Sequence, residues 1–351
     1  MLKRKQAKSK KNKPFGEKLS DSDTSCDIVG IGNAIVDIIS HEAEDFLSRH
    51  HLVKNSMSLV DEETALAIYK EMHPAVQASG GSAANTMAGI ALLGASPGYI
   101  GKVKDDELGK FFVHDIEAIG VNHLVKPTSS GPPTARSMVL VTPDGSRTMN
   151  TYLGASSTLY ADEINHDAVA SADFLYCEGY IWDIETTKKA IRLAISIAKE
   201  AGNKVSFTLS DTFCVERHHQ EWLELISGPV DVLFGNEAEF LALSGCPTLE
   251  GAIDWIRGQV EIACITEAQN GSTIVTTGHT IGIDAHQVDK VVDSTGAGDL
   301  YASGFLYGLI KGLDLKTCGE IGSLAAAEVI SHTGARPQAS LQEIISSKLK
   351  I

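Results

Sequence analysis

The feature that most constrains the fold is an alternation of short apolar segments with longer amphipathic ones. Strand-length apolar segments lie at residues 27–32, 174–176, 204–209, 230–234, 262–266 and 273–277. Helical patterns lie at 185–201, 237–244, 249–258, 302–312 and 318–331. Strands that alternate with helices in this way are typical of a mostly parallel sheet covered by helices on both faces. We therefore predict an α/β fold with such a central sheet.

One region departs from the alternation. Residues 132–142 and 147–153 read as two strands around a Pro-Asp-Gly turn, with no long helix between them. With the alternating stretch at 56–60 they predict a small β-sheet that stands off the main one. We expect this lid to comprise about 34–60 and 121–155, inserted in a main domain of 25–351, and to exclude water from a ligand crevice when it closes.

The charge is distributed unevenly along the 351 residues. The formal net charge is -15, yet eight of the first 18 residues are Lys or Arg and only Glu17 is acidic, so the rest of the chain carries about -22. A body this acidic is not expected to bind nucleic acid. Residues 1–24 are predicted to form a disordered, solvated basic tail. Contact of this tail with RNA, anionic lipid or a partner protein is the alternative.

The sequence carries no sign of a membrane or secretory protein. No apolar run reaches the roughly 18 to 20 residues that a membrane helix needs, and the N-terminus lacks the apolar core of a signal peptide. The six cysteines are scattered without a C-x-x-C pair, as expected for reduced residues. We therefore expect a cytoplasmic protein without membrane partners.

The stretch "VVDSTGAGD" at 291–299 leads from apolar residues through a turn of small residues to an acid at the start of a helical segment. Glycines let backbone N–H groups approach a ligand closely, and a helix N-terminus adds a partial positive charge. Asp299 beside such an anion site could take a proton from a hydroxyl that attacks a phosphoryl group. Alternatively, Asp299 only caps the helix.

A second glycine cluster, "SGGSAANT" at 79–86, precedes an apolar helical segment at 87–93. A Gly-Gly pair allows a small ligand to lie against the backbone, and Asn85, one turn into the helix, offers both a donor and an acceptor. This combination suits a vicinal diol. By itself it is weak evidence, because Gly-Gly-Ser is also common in linkers.

Together the two clusters resemble the ribokinase-like, or PfkB, carbohydrate kinases. The resemblance extends from about Cys26 to the C-terminus and depends on "GGSAANTMAGIALLGASPGYIGKVKDDELGKFF" and "DSTGAGDLYASGFL", the second being highly specific. It implies a ribokinase-like fold and a kinase that uses ATP. The G-x-x-x-x-G-K-[ST] motif of P-loop kinases is absent.

The resemblance also assigns roles to matching positions. Asp299 resembles the catalytic base, and the backbone of Gly296, Ala297 and Gly298 resembles the anion hole. The positions that resemble the family's sugar-hydroxyl contacts are Asp37, Gly81, Ser82 and Asn85. Asn236 and Glu239 match the family's N-x-x-E motif, which implies that they help to place Mg²⁺ and the phosphates, usually through water.

The nucleotide contacts follow the family pattern only in part. Thr266 and Gly271 match the ends of the family's T-x-G-x-x-G pattern, but Ala268 replaces the middle glycine. The segment 332–337, which contains Gly334, corresponds to a loop that borders adenine and binds a monovalent cation in relatives. The resemblance thus implies ATP and leaves K⁺ possible.

Two further segments bear on the acceptor. "GNAIVDI" at 32–38 and "RTMNTYLGA" at 147–155 resemble adenosine kinases, in which the aspartate holds ribose hydroxyls and the arginine approaches the transferred phosphate. The resemblance favours transfer of the γ-phosphoryl group of ATP to the 5′-hydroxyl of adenosine, with Arg147 as a phosphate contact. Glu178 is expected at a strand end facing the crevice, where it could equally cap the following helix.

Several alternatives remain open at this point. A PfkB kinase for inosine, guanosine, ribose or fructose would have the same catalytic residues, and a catalytically inactive nucleoside-binding sensor is a candidate from another class. Relatives function as monomers with a lid or as homodimers with interlocked lids, so the resemblance leaves both states open.

Overall fold

The computed structural model describes residues 26–349, and the tail predicted at 1–24 lies outside them. The strands are β1 Ile28–Ile31, β2 Ile35–His41, β3 Met57–Leu59, β4 Val76–Gly80, β5 Pro97–Ile100, β6 Asn122–His123, β7 Ala135–Val141, β8 Arg147–Tyr152, β9 Phe174–Glu178, β10 Lys204–Thr208, β11 Val232–Asn236, β12 Ile262–Thr266, β13 Ser272–Val275 and β14 Thr280–Ile283.

The helices are α1 Glu44–Arg49, α2 Glu62–Glu71, α3 Ser82–Leu92, α4 Glu107–Ala118, α5 His166–Ser171, α6 Glu185–Ala201, α7 Thr212–Ile226, α8 Glu237–Ser244, α9 Leu249–Ile256, α10 Ala297–Ile310, α11 Leu315–Val329 and α12 Leu341–Leu349. Short 3-10 helices lie at Gly154–Thr158, Ala161–Glu163, Gly179–Asp183 and Ala268–Asn270.

The main sheet has nine strands in the order β14-β13-β12-β11-β10-β9-β1-β5-β6. The strands from β12 to β6 are parallel to their neighbours, whereas β13 and β14 add an antiparallel edge. Successive side chains of a strand point to opposite faces. On β9, for example, Leu175 and Cys177 join a core with α6 to α9, while Phe174 and Tyr176 join a core with α3, α4, α10 and α11. The mostly parallel sheet with helices on both faces is therefore confirmed.

A second sheet of five strands, in the order β3-β8-β7-β2-β4, stands apart from the first. One of its faces packs on α1 and α2 through a separate small core that includes Phe46, Ile68 and Met138. The predicted hairpin is present as the antiparallel pair of β7 and β8. The sheet also contains β4, which lies outside the ranges predicted for the lid.

Periodicity alone places the starts of two helices of the candidate site too late, whereas the glycine motifs, which put Asn85 one turn into its helix and Asp299 at the start of its helix, agree with the structure. The helix placed at 302–312 begins at Ala297, and the apolar helix placed at 87–93 begins at Ser82. Each starts directly after a glycine with positive φ, Gly296 and Gly81 respectively. Small residues fill the first turns, so the apolar periodicity is weak where these helices begin.

Among residues 26–349, no helix combines the length and apolar character required to cross a bilayer.

Candidate active site

The first turn of α10 carries the anion-site residues predicted from the sequence. Gly296 precedes the helix with a φ of 81°, and a Cβ there would lie 2.8 Å from the Cβ of Ala335, so only glycine fits without strain. Ala297, Gly298 and Asp299 then form the first turn. The N–H groups of a first turn have no partner within the helix and favour an anion. A Cβ on Gly298 would meet no atom within 4 Å, so the space beside this turn is open.

Asp299 contacts the second glycine cluster directly. Its Oδ1 accepts a hydrogen bond from the Ser82 hydroxyl at 2.7 Å, and its Oδ2 accepts one from Asn85 Nδ2 at 2.9 Å. Burial raises the pKa of the Asp299 carboxyl above its usual value, while the two hydrogen bonds and the nearby Arg336 partly oppose this. The two motifs, more than 200 residues apart in sequence, therefore meet at the predicted base.

Gly81 determines how α3 enters this site. It is the N-cap of α3 with a φ of 99°, and a Cβ there would lie 2.0 Å from the carbonyl oxygen of Asn33. The chain between β4 and α3 thus passes directly against the chain between β1 and β2. This close approach brings Ser82 and Asn85 to Asp299.

Asp37 lies on β2 of the second sheet, near the same carboxylate. Burial raises its pKa to about 6, although Arg147 and Arg336 are close enough to lower it and Asp299 is close enough to raise it further. Asp37 and Asp299 therefore belong to one site formed by both sheets. Two carboxylates with raised pKa values in one crevice are typical of a functional site.

Arg147 connects the second sheet to the segment before α10. Its Nη1 donates to Asp293 Oδ2 at 2.5 Å and to Thr295 Oγ1 at 2.9 Å. Asp293 Oδ2 also accepts from the Gly334 amide at 2.8 Å. Arg147 thus lies beside the anion site and pairs with a protein carboxylate through Nη1, while its Nε is buried without a hydrogen-bond partner among residues 26–349 and keeps a donor for a phosphate oxygen.

Arg336 is a site residue that we did not predict. Its Nε donates to Asn85 Oδ1 at 2.9 Å and one Nη donates to Ser79 Oγ at 3.0 Å, while Nη1 is buried without a hydrogen-bond partner among residues 26–349. The only sequence signal is a lone basic residue in a loop of small residues, which does not reveal what that residue contacts.

A model of the pfkB family carbohydrate kinases matches residues 51–341, a span that includes Asp299 and most of the surrounding site. This chain belongs to the PfkB family. It is therefore a phosphotransferase with a hydroxyl acceptor, and the expectation drawn from the two glycine motifs is confirmed at that level.

Two solved PfkB-like structures cover 93% of this chain and their own whole length. A probable sugar kinase from Rhizobium etli CFN 42 is 46% identical with a TM-score of 0.88. An adenosine kinase from Sinorhizobium meliloti is 44% identical with a TM-score of 0.87. Among curated proteins, a 5-dehydro-2-deoxygluconokinase from Shouchella clausii is 29% identical over 76% of this chain and 84% of its own length. The ribokinase-like fold is confirmed by these similarities.

The N-x-x-E motif of this PfkB chain forms the start of α8. Asn236 caps the helix by accepting from the Glu239 amide at 2.9 Å, and Glu239 in turn accepts from the Asn236 backbone N–H and side-chain amide. Burial raises the pKa of Glu239 to about 7, although the Asn236 backbone N–H opposes this. Each carboxylate oxygen keeps a lone pair, which fits contact with Mg²⁺ through water.

The segment predicted beneath ATP contains a strained residue. Thr266 ends β12, and a 3-10 helix then leads to Gly271, whose φ of 94° brings it against the Ile283 carbonyl. Ala268 has a φ of 50°, the left-handed region that favours glycine. The usual PfkB pattern has glycine at this position, so the structure explains that preference in backbone terms.

We expect Ala268→Gly to stabilise the protein by about 0.5–1 kcal/mol, because it relieves the left-handed strain and Ala268 is exposed, so no packing is lost. The free energy of unfolding in denaturant measures the change. Ala67→Gly, at an exposed position within α2, is the matched control and should lose about 1 kcal/mol. If both variants lose the same free energy of unfolding, the backbone of Ala268 is not strained.

Glu178 ends β9 in the core of the site, and it does not cap the helix that follows. Its Oε1 accepts from the backbone and side-chain N–H groups of Asn33, and its Oε2 accepts from the Ala83 amide at 2.8 Å. Burial raises its pKa to about 7 despite these donors. The interpretation as a helix cap was wrong, because the carboxylate instead joins the two chain segments that cross between the sheets.

Proposed function

We propose that this PfkB kinase transfers the γ-phosphoryl group of ATP to the 5′-hydroxyl of adenosine, giving AMP and ADP, a reaction of purine salvage. The observation that carries the proposal is the face that the second sheet presents towards Asp299. This face combines three neighbouring polar residues suited to a ribose with an adjoining apolar surface suited to a nucleobase.

The strand registers define two rows of residues on this face. The first contains Asp37, Ser137, Thr151 and Leu59, which are neighbours across β2, β7, β8 and β3. The second contains Ile39, Val139, Met149 and Met57 in the same order. Because partners at one register share a face and side chains alternate along a strand, the two rows lie on one face. Met57 is 40% exposed and Leu59 52%, and a nucleobase would cover this apolar surface whereas a free sugar would not.

The relatives support two acceptors. Identity of 44% over nearly the whole chain to the Sinorhizobium meliloti adenosine kinase supports adenosine. The probable sugar kinase and the 5-dehydro-2-deoxygluconokinases, 30% identical in the case of Listeria monocytogenes, support a sugar or sugar-acid acceptor as the second candidate. The apolar row favours the first candidate.

The site residues support in-line transfer. The 5′-hydroxyl oxygen forms a bond to the γ-phosphorus while Asp299 accepts the hydroxyl proton. The bond between the γ-phosphorus and the β-phosphate oxygen breaks, which releases ADP. The first-turn N–H groups at Gly296, Ala297 and Gly298 stabilise the charge on the transferred group. Asp37 holds the ribose hydroxyls, with Gly81, Ser82 and Asn85 completing that side. Bound Mg²⁺ would neutralise phosphate charge and would be held through water at Asn236 and Glu239.

The activity should fall at acidic pH. Asp299 must be ionised to act as a base and Asp37 must be ionised to accept two hydroxyl hydrogen bonds, while burial raises both pKa values, that of Asp37 to about 6. We therefore expect kcat/KM for the acceptor, measured from pH 5 to 8 at saturating ATP, to be lost as pH falls through about 6. A value that stays constant down to pH 5 would contradict these assignments.

The acceptor is tested with a panel of adenosine, inosine, guanosine, cytidine, ribose, fructose and 5-dehydro-2-deoxygluconate, with ATP and Mg²⁺ and with or without K⁺. Adenosine is expected to give the highest kcat/KM. Higher activity on a sugar or sugar acid would replace the proposed acceptor while retaining the kinase chemistry. No turnover of any acceptor would favour a nucleoside-binding sensor.

A further inference from the structure

We infer that Arg336 is a positioning residue that fixes the orientation of the Asn85 amide and thereby sets the hydrogen bonding of the base Asp299. The inference rests on the proposed function, in which Asp299 receives the acceptor proton. It concerns a residue in the loop before α12 that lies far from α3 and α10 in sequence.

The contacts form a chain of three residues. Arg336 Nε donates to Asn85 Oδ1 at 2.9 Å, and Asn85 Nδ2 donates to Asp299 Oδ2 at 2.9 Å. An amide can be rotated so that its oxygen and nitrogen exchange places. Arg336 carries only donors, so it requires the oxygen of Asn85 on its own side and the NH₂ group on the side of Asp299. Without the guanidinium, Asp299 alone would hold the NH₂ group and the buried amide oxygen would lose its donor, so the Asn85 amide would be fixed at one end only.

The loop that carries Arg336 also contacts the phosphate side of the site. Ala335 lies against Gly296 at the start of α10, and the Gly334 amide donates to Asp293, which also binds Arg147. Three consecutive residues, Gly334, Ala335 and Arg336, thus contact Asp293, Gly296 and Asn85 respectively. A shift of this loop would therefore alter the phosphate side and the acceptor side together.

The surroundings of Arg336 bear on stability as well as on activity. Within residues 26–349 it has no salt bridge, although Asp37, Asp115 and Asp299 are close enough to interact electrostatically. Its Nη1 is buried without a partner. Arg336→Met would leave these three carboxylates without the positive charge and would leave Asn85 and Ser79 without a buried donor, so it should lower stability as well as activity. The pH dependence of kcat and the Asn85→Ala background separate the positioning role from this loss of stability.

The test is a double-mutant cycle of Arg336→Met and Asn85→Ala, with kcat, acceptor KM, their pH dependence and thermal unfolding measured for each variant. The charged and titratable groups that face Asp299 are Asp37 on β2, Tyr176 and Glu178 on β9, Tyr180 after β9, and Arg336. Only Arg336 changes in the single variant.

We expect Arg336→Met to lower kcat at pH 7 by at least about tenfold and to move the acidic limb of kcat upward by about one pH unit, with a lower Tm that stays above the assay temperature. In the Asn85→Ala background the same change should alter kcat by less than about threefold, because the connection from Arg336 through Asn85 to Asp299 is already lost. Arg336→Lys should not restore kcat, whereas Arg192→Met, a partly exposed arginine on α6, should leave it unchanged.

If Arg336→Met lowers kcat by the same factor in the wild type and in Asn85→Ala, the two residues act independently and the inference is wrong. An unchanged pH limb in Arg336→Met, or a loss of kcat explained by unfolding at the assay temperature, would also contradict it. If the wild type turns over an acceptor other than adenosine, the double-mutant cycle is measured with that acceptor, so that an error in the proposed acceptor is distinguished from an error in the role of Arg336. A wild type that turns over none of the acceptors would contradict both proposals.

Discussion

Asp299→Asn is expected to lower kcat by about 10²–10⁴-fold, because it removes the general base from an otherwise intact site. The amide can keep both neighbours. Its oxygen can accept from Asn85 as Oδ2 does now, and its NH₂ can face the Ser82 hydroxyl, which rotates to accept. The measurement is steady-state kinetics with adenosine and ATP, together with the thermal unfolding temperature.

The acceptor KM of this variant should stay within about threefold of wild type, since the contacts to Asp37 remain. Asp167→Asn is the matched control, because Asp167 lies fully exposed on α5. The control should retain full activity. A kcat of Asp299→Asn within about threefold of wild type would show that another group takes the proton.

Asp37→Ala is expected to raise the acceptor KM by at least about 100-fold, because two hydroxyls lose hydrogen bonds to a charged partner, each contributing about 1.5–3 kcal/mol. The effect should fall mainly on KM for the acceptor, while KM for ATP changes little. Calorimetric titration with adenosine gives an independent measure of the same loss.

Asp37→Asn is the companion variant, since it keeps the size and one acceptor oxygen but removes the charge. It should lie between wild type and Asp37→Ala, and Asp167→Asn again provides a surface control. An acceptor affinity that is unchanged in Asp37→Ala would mean that the sugar binds elsewhere on the second sheet.

Six strands of the main sheet, β1 and β9 to β13, could be predicted because each is a short apolar run. The segment placed at 262–266, for instance, is β12 with the same limits. The strands β5, β6 and β14 were not predicted, since β5 begins with Pro97 and Gly98, β6 has only two residues and β14 is largely exposed. The starts of α3 and α10 could not be placed by periodicity, since Gly81 and Gly296 and the small residues after them determine those starts. Hydrophobic periodicity is weakest at such positions, because small residues replace apolar ones where a backbone must approach a ligand closely.

Residues of the candidate site could be predicted only where they belong to a recognisable sequence motif. Asp299 and Asn85 belong to the two glycine motifs, and the structure brings them into contact. Arg336 and the true contacts of Glu178 were not predicted, because each depends on which distant segments fold against it. Glu178 accepts hydrogen bonds from residues that lie 145 and 95 positions away in the sequence.

The position of Glu178 has a mechanical consequence for the second sheet. It clamps the segments at Asn33 and Ala83, where the chain passes into β2 and leaves β4, so the sheet is anchored at the end nearest Asp37. The opposite end of the sheet, at the turn between β7 and β8, is held to the segment before α10 by Arg147, the first residue of β8, through its ion pair with Asp293. Release of the Arg147–Asp293 pair would therefore free the far end of the sheet, while the hydrogen bonds of Glu178 keep the segment that carries Asp37 in place.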